Sequence, residues 1–115
     1  MTTFILNAYE QTYILYGVRR HYTYDNSLAI ELVDSKDEQS FAILTVNLSD
    51  ALEEVMEGIP LPHNVQAVDV NNCPWAEDFI KDNNLGKPLG VYITSGFCTY
   101  PLYIFDLDKL VDIGE

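Results

Sequence analysis

Two alternating apolar runs on either side of a polar turn constrain this chain more than any other feature. Leu28-Ala29-Ile30-Glu31-Leu32-Val33 puts Leu28, Ile30 and Leu32 on one side and turns Glu31 to water, and in Phe41-Ala42-Ile43-Leu44-Thr45-Val46-Asn47-Leu48 every even position is apolar. Successive side chains of a strand point to opposite faces, so a period of two commits each run to a sheet with one buried face. Between them Asp34-Ser35-Lys36-Asp37-Glu38 is a polar hairpin loop, and the two strands are expected to pair antiparallel.

The flanking segments extend the pattern. Thr3 to Ala8 and Thr12 to Val18 are rich in β-branched and aromatic residues and read as strands joined by a turn within Asn7 to Gln11. The period then changes. Ser49 or Asp50 caps a short helix with Leu52, Val55 and Met56 on one side and Gly58 at its end, after which Pro60 and Pro62 impose an extended loop. Val65 to Val70 is a further strand, and Asn71-Asn72-Cys73-Pro74-Trp75 opens the best-marked helix. Pro74 suits its first turn, Glu77 and Asp78 complement its positive end, Lys81 its negative end, and Leu85-Gly86 closes it. Trp75, Phe79 and Ile80 are expected to pack this helix, Pro74 to Asn84, on the sheet. Leu89 to Thr94 and Tyr100 to Phe105 read as two strands around Ser95 to Thr99, the second placed at an edge or started by Pro101, with a short helical end after Asp106. The sum is an α+β fold: a mainly antiparallel sheet of about five to seven strands with one principal helix, in a single domain over residues 1–115.

Charge bears on partners. Eighteen acidic against six basic side chains give a formal net charge of -12 on 115 residues. Apolar residues make up 48% of the chain and eight of its aromatics are Tyr, a content that a disordered acidic tail lacks. The acids run from Glu10 to Glu115 without forming one block, so they read as the wet faces of folded elements. Such a body repels polyanions and attracts basic proteins; direct nucleic-acid binding is not expected. No apolar stretch approaches the roughly 20 residues that span a bilayer, and Met1 to Asn7 lacks the basic start and apolar run of a secretory signal, so a cytoplasmic location without membrane contact is expected. Cys73 and Cys98 form no Cys-x-x-Cys pair and are expected as free thiols, with no metal and no cofactor.

Few residues stand out as a site. Asp50, Glu53, Glu54 and Glu57 follow i, i+3, i+4, i+7 and form one stripe opposite Leu52, Val55 and Met56, a row of carboxylates that can imitate a run of phosphates as well as serve as a wet helix face. These four are the expected partner-binding residues. Arg19-Arg20-His21-Tyr22-Thr23-Tyr24 alternates basic and aromatic groups as single-stranded nucleic-acid sites do, but the surrounding acidic field opposes that use; the stretch reads as an edge strand kept soluble by charge, or as a site for an acidic partner or for neighbouring carboxylates. Cys73 at a helix N-terminus is a stronger candidate nucleophile than Cys98, with His21 or His63 as base and Asp25 or Asp69 to orient it, but nothing in the sequence brings these groups together and a buried or capping thiol is the better account. Asp106-Leu107-Asp108 with Asp112 lacks the loop Gly and terminal Glu of a calcium site and reads as capping. Gly86-Lys87-Pro88-Leu89-Gly90 lacks the phosphate-loop pattern and reads as a turn.

Leu28 to Asp34, Phe41 to Leu48, Asp69-Val70-Asn71-Asn72-Cys73-Pro74-Trp75-Ala76 and Ser95-Gly96-Phe97-Cys98-Thr99-Tyr100-Pro101-Leu102-Tyr103 together resemble a family of small acidic proteins of unknown function carried on conjugative elements and other mobile DNA of Gram-positive gut bacteria. The resemblance spans Leu28 to Leu110 and is most specific in the Asn-Asn-Cys-Pro-Trp and Ser-Gly-Phe-Cys-x-Tyr-Pro blocks. It implies a genomic setting and no catalytic residues. Mobile DNA entering a host meets restriction enzymes and RNA-guided nucleases with Lys- and Arg-lined channels, so the setting implies a non-enzymatic inhibitor that binds such a nuclease stoichiometrically as a DNA mimic, an anti-restriction or anti-CRISPR protein. The alternatives are an accessory or regulatory module that binds another protein through a sheet edge or Tyr-rich surface, and, third, a cysteine-dependent enzyme.

Overall fold

In the computed structural model, which describes residues 2–23, 25–48, 51 and 61–112, the two alternating runs do become neighbouring strands. The first sheet takes the order β1 (Phe4–Ala8), β2 (Gln11–His21), β3 (Leu28–Asp34), β4 (Ser40–Ile43), each pair antiparallel. Its β1–β2 loop is only Tyr9 and Glu10, both at positive φ (52° and 61°), as a two-residue turn of the type I′ class requires. The inward side chains are those of the alternation: Phe4, Leu15, Leu28, Ile30 and Leu32 are almost wholly buried.

At Leu44 the run that began at β4 leaves the first sheet and joins a second. Leu44 donates its N–H to the Ile30 carbonyl of β3 (2.9 Å) and accepts at its own carbonyl from the Asp69 N–H (2.9 Å). The chain continues as β5 (Thr45–Val46), next to β6 (Val65–Val68). The order of the second sheet is β5, β6, β8 (Cys98–Phe105), β7 (Gly86–Ser95), again antiparallel. β9 (Leu110–Asp112) then returns to the first sheet, parallel to β2 along the length that β1 leaves unpaired. Leu110 lies over Gly17, where an added Cβ would stand 2.6 Å from a Leu110 methyl.

The helix α1 (Ala76–Asp82) buries Ala76, Phe79 and Ile80, with Glu77 and Asp78 in its first turn and Lys81 in its last. Trp75 at its start stands edge-on to Phe79 (5.7 Å between ring centroids), tilts against Phe41 (5.9 Å), and donates its indole N–H to the Tyr9 hydroxyl (3.2 Å). One core therefore takes Phe4, Leu15, Ile30 and Leu32 from the first sheet, Val68, Tyr103 and Phe105 from the second, and Phe79 and Ile80 from α1. A smaller cluster of Leu48, Ala67, Ile93 and Leu102 lies apart from it, with Ala51 and Leu61 packed against it.

The structure corrects several expectations. Among the described residues nine strands in two sheets replace a single sheet of five to seven, because the Phe41 to Leu48 run is divided at Leu44 and β9 is an additional pairing. Gly86 to Gly90 is the start of β7 and not a turn. Pro101 sits inside a central strand: β6 pairs only with Leu102 to Ile104, so the missing N–H of Pro101 costs no bond on that side. Arg19 and Arg20 belong to a central strand as well, between β3 and β9. The helix is shorter than Pro74 to Asn84, and it is Asn84 at φ 52°, not Gly86, that turns the chain out of it.

Buried polar side chains sew the sheets together near Leu44. Thr45 Oγ1 accepts from the Ile30 N–H (3.1 Å) and lies 3.0 Å from the Tyr22 hydroxyl, while the fully buried Gln66 donates to the Leu28 carbonyl (2.9 Å) and to Ser27 Oγ (3.1 Å). Removing one member leaves its partner buried without a bond, which costs about 1–3 kcal/mol. Thr45→Val is therefore expected to lower the unfolding free energy by that amount, read as a lower urea midpoint at an unchanged m-value, whereas Thr45→Ser retains most of the stability. Equal midpoints for Thr45→Val and the parent would contradict the role given to this hydroxyl.

Candidate partner-binding surface

The acids are where water is. Among the described residues Asp69 is buried, Glu31 and Asp34 are half-buried, and every other Asp and Glu is exposed. Asp69 is satisfied locally, accepting from the Asn72 N–H (3.2 Å) and side-chain amide (2.9 Å), and it shapes the turn that leads into α1. Asp34 and Asp37 accept backbone N–H groups in the β3–β4 turn, where Glu38 receives the Tyr16 hydroxyl. Asp106 caps a single 3₁₀ turn (Leu107–Lys109) by accepting from the Asp108 N–H, the capping role expected of it. The stripe residues Asp50, Glu53, Glu54 and Glu57 lie outside the described residues.

The basic cluster is engaged with carboxylates of the same body. Arg20 Nε meets Glu31 Oε1 at 2.9 Å across β2 and β3, and Arg19 stands 4.0 Å from Asp112 on β9. The Tyr22 hydroxyl is taken by Thr45, and Tyr24 lies outside the described residues. Of the readings open to this stretch, neighbouring carboxylates are what it binds.

Cys73 is buried, its thiol directed at the Ile43 carbonyl (3.7 Å), and no described hydrogen bond joins it to His21 or His63. Burial, reinforced by the Asp69 charge, pushes its pKa up to about 11, the reverse of what a nucleophile needs. Both cysteines are free thiols. Among the described residues no three of His, Cys, Asp and Glu converge as metal ligands would, and no described helix is long and apolar enough to cross a membrane.

Two features escaped the sequence reading. A cleft of about 820 Å³ runs between α1 and the start of β7, lined by Glu77, Asp78, Lys81, Lys87, Tyr103 and Asp106 among others. Tyr103 donates its hydroxyl to Glu77 Oε1 (2.7 Å), and partial burial together with that carboxylate raises its pKa. The second feature is the β7–β8 hairpin. Its loop is only Gly96 and Phe97, with Gly96 at φ 61° in the first central position, which suits a type II′ turn and leaves Phe97 fully exposed at the tip. Leu89, Val91 and Tyr92 are exposed on β7 as well. The signal was present in the sequence: residues 83–105 hold no Asp or Glu, the longest acid-free stretch of this acidic chain.

A family model described as a domain of unknown function, DUF4313, matches residues 18–115. The chain belongs to this family. No curated protein and no solved structure matches the chain. The family match begins within β2 and takes in both alternating runs, α1 and the exposed hairpin.

The thiolate is the reactive form of a cysteine, so a raised pKa slows modification at ordinary pH. Half-exposed Cys98 is expected to react with a disulfide reagent at pH 8 well before Cys73, whose rate should climb steeply only as the pH nears about 11. Rapid modification of Cys73 in the folded protein at pH 7 would reopen the case for it as a nucleophile.

Proposed function

We propose that this chain is a non-enzymatic anti-defence protein of mobile DNA that acts in the cytoplasm, where it binds a basic, nucleic-acid-binding nuclease in one-to-one fashion and occupies its channel as DNA does. The observation that carries this reading is a net charge of -12 set on a folded body on which most of the described acids are exposed while its two arginines face carboxylates of their own. A channel that neutralises phosphates with Lys and Arg also attracts a surface of well-placed carboxylates, by a Coulomb interaction that weakens as salt rises. The field steers encounter over roughly 8–10 Å at ordinary ionic strength, and a body that cannot be cleaved then blocks the channel for as long as it stays bound. In this reading Asp50, Glu53, Glu54 and Glu57 supply the phosphate-like row, and the mobile-element setting rests on the family resemblance.

A second reading has its own observation. The exposed edge of β7 favours an accessory or regulatory module that binds another protein through a sheet edge. Cys73, buried and with a raised pKa, lends no support to a cysteine-dependent enzyme.

Two charge-neutralised variants separate the readings. Asp50→Asn, Glu53→Gln, Glu54→Gln and Glu57→Gln together are expected to weaken binding to a host restriction or RNA-guided nuclease at least tenfold and to flatten its salt dependence. The same number of changes at Asp34, Asp37, Glu38 and Asp112 should have a smaller effect. Equal losses assign binding to net charge and not to the stripe; no loss from either set overturns the DNA-mimic reading in favour of the accessory module.

A further inference from the structure

The strand order leaves β7 at the margin of the second sheet, and among the described residues no strand pairs with its outer edge. The two halves of that edge differ. Gly86 to Gly90 carries Lys87, Pro88 and the start of a register shift between Pro88 and Tyr92, the features that blunt an edge against further pairing. Val91 to Ser95 carries no charge and no proline and is held to β8 in regular register from Tyr92 to Ser95. Exposed Leu89, Val91, Tyr92 and Phe97 surround this open half. An unprotected, uncharged edge flanked by apolar side chains is a template for another strand.

Charge decides which strand. A basic partner is drawn to carboxylates, and residues 83–105 offer none; their only charged side chain is Lys87. For a second copy of this chain the same absence is the requirement. Two bodies of charge -12 repel wherever their acids face each other, and the longest acid-free stretch is where they can approach at least cost. We propose that two copies pair antiparallel through Val91 to Ser95 about a two-fold axis at Ile93.

The register follows from the symmetry. Tyr92 lies opposite Thr94 of the second copy and Val91 opposite its Ser95, so the same patch serves both sides, as a two-fold contact demands. Beyond the paired stretch the same symmetry directs Phe97, at the tip of the loop, toward Leu89 of the second copy, covering two of the apolar side chains that the monomer leaves in water. Lys87 sits six residues from the axis, roughly 20 Å along the strand, outside the pairing. No acid belongs to the paired stretch, so the dimer is compatible with the proposed function and does not depend on that function being right.

The salt dependence has a definite sign. Added salt screens the repulsion between the two acidic bodies and leaves the apolar and backbone contacts, so self-association strengthens with salt, the reverse of binding to a basic partner. Sedimentation of the full chain, with reductant present so that Cys98 forms no intermolecular bridge, is expected to show a reversible monomer–dimer equilibrium whose dissociation constant falls severalfold from low to high salt. Val91→Glu with Phe97→Glu places acids across the axis and should leave a monomer with an unchanged circular dichroism spectrum. Ile5→Glu with Ile14→Glu, exposed positions on the first sheet, should leave the dimer intact. Should the hairpin variant misfold, hydrogen exchange of the parent decides: the amides of Val91 to Ser95 must slow as concentration rises. A parent that stays monomeric at both salt levels up to near-millimolar concentration, or one whose Val91 to Ser95 exchange ignores concentration, overturns the proposal and leaves this edge for an unlike partner.

Discussion

Everything in this fold passes through the corner at Leu44 and Thr45. The Leu44 backbone hydrogen-bonds to Ile30 of one sheet and to Asp69 beside the other, and the next side chain, Thr45, accepts from the Ile30 N–H. Two adjacent residues thus pin both polar groups of one core residue, Ile30, whose side chain is fully buried. Burying an unpaired N–H and carbonyl there would cost several kcal/mol, so the corner is strongly specified. From it follow the position of β6, then of β8 beside β6, and finally of β7 as the far strand.

That path explains how a very acidic chain sorts its charge. Apart from buried Asp69, the described acids occupy turns, the outer side of α1 and strand positions at least partly open to water, where a solvated carboxylate costs little. The hairpin at the end of the path is spared: its residues form a core on one side and meet solvent without carboxylates on the other. The body and the hairpin are therefore chemically different surfaces. The first is suited to long-range attraction, and the second gathers exposed apolar side chains, Leu89, Val91, Tyr92 and Phe97, where no carboxylate stands beside them in the sequence. An acidic field sets encounter rates and partner choice, while a small exposed apolar set contributes to how long a contact lasts.

Strand identity was largely legible because period-two alternation is local: Leu28 to Val33 pairs antiparallel with the first part of the Phe41 to Leu48 run, up to Ile43, as the side chains imply. The switch between sheets was not legible, since Leu44 keeps the alternation on either side and the choice of neighbour is tertiary. β9 escaped because three residues, Leu110 to Asp112, pair in parallel with residues more than ninety positions earlier. Gly86-Lys87-Pro88-Leu89-Gly90 looked like a turn by composition, yet pairing with β8 overrode that preference. At the candidate sites, Cys73 stands close to the start of a helix as expected, but the overlying strand that ends at Ile43 buries it, a fact no local pattern contains. Phe97 reads as core by type and is exposed by geometry, since a two-residue loop has nowhere to bury it.

The central claim is that this chain works by holding a basic protein. Its most direct test is to immobilise the full chain, pass over it an extract of a host cell, and release what is retained with a rising salt gradient. The account predicts that a basic, nucleic-acid-binding nuclease is held in molar proportion to the immobilised chain and leaves as salt rises, and that a short duplex DNA competes it off. Retention of no basic protein, or retention indifferent to both salt and DNA, would contradict it.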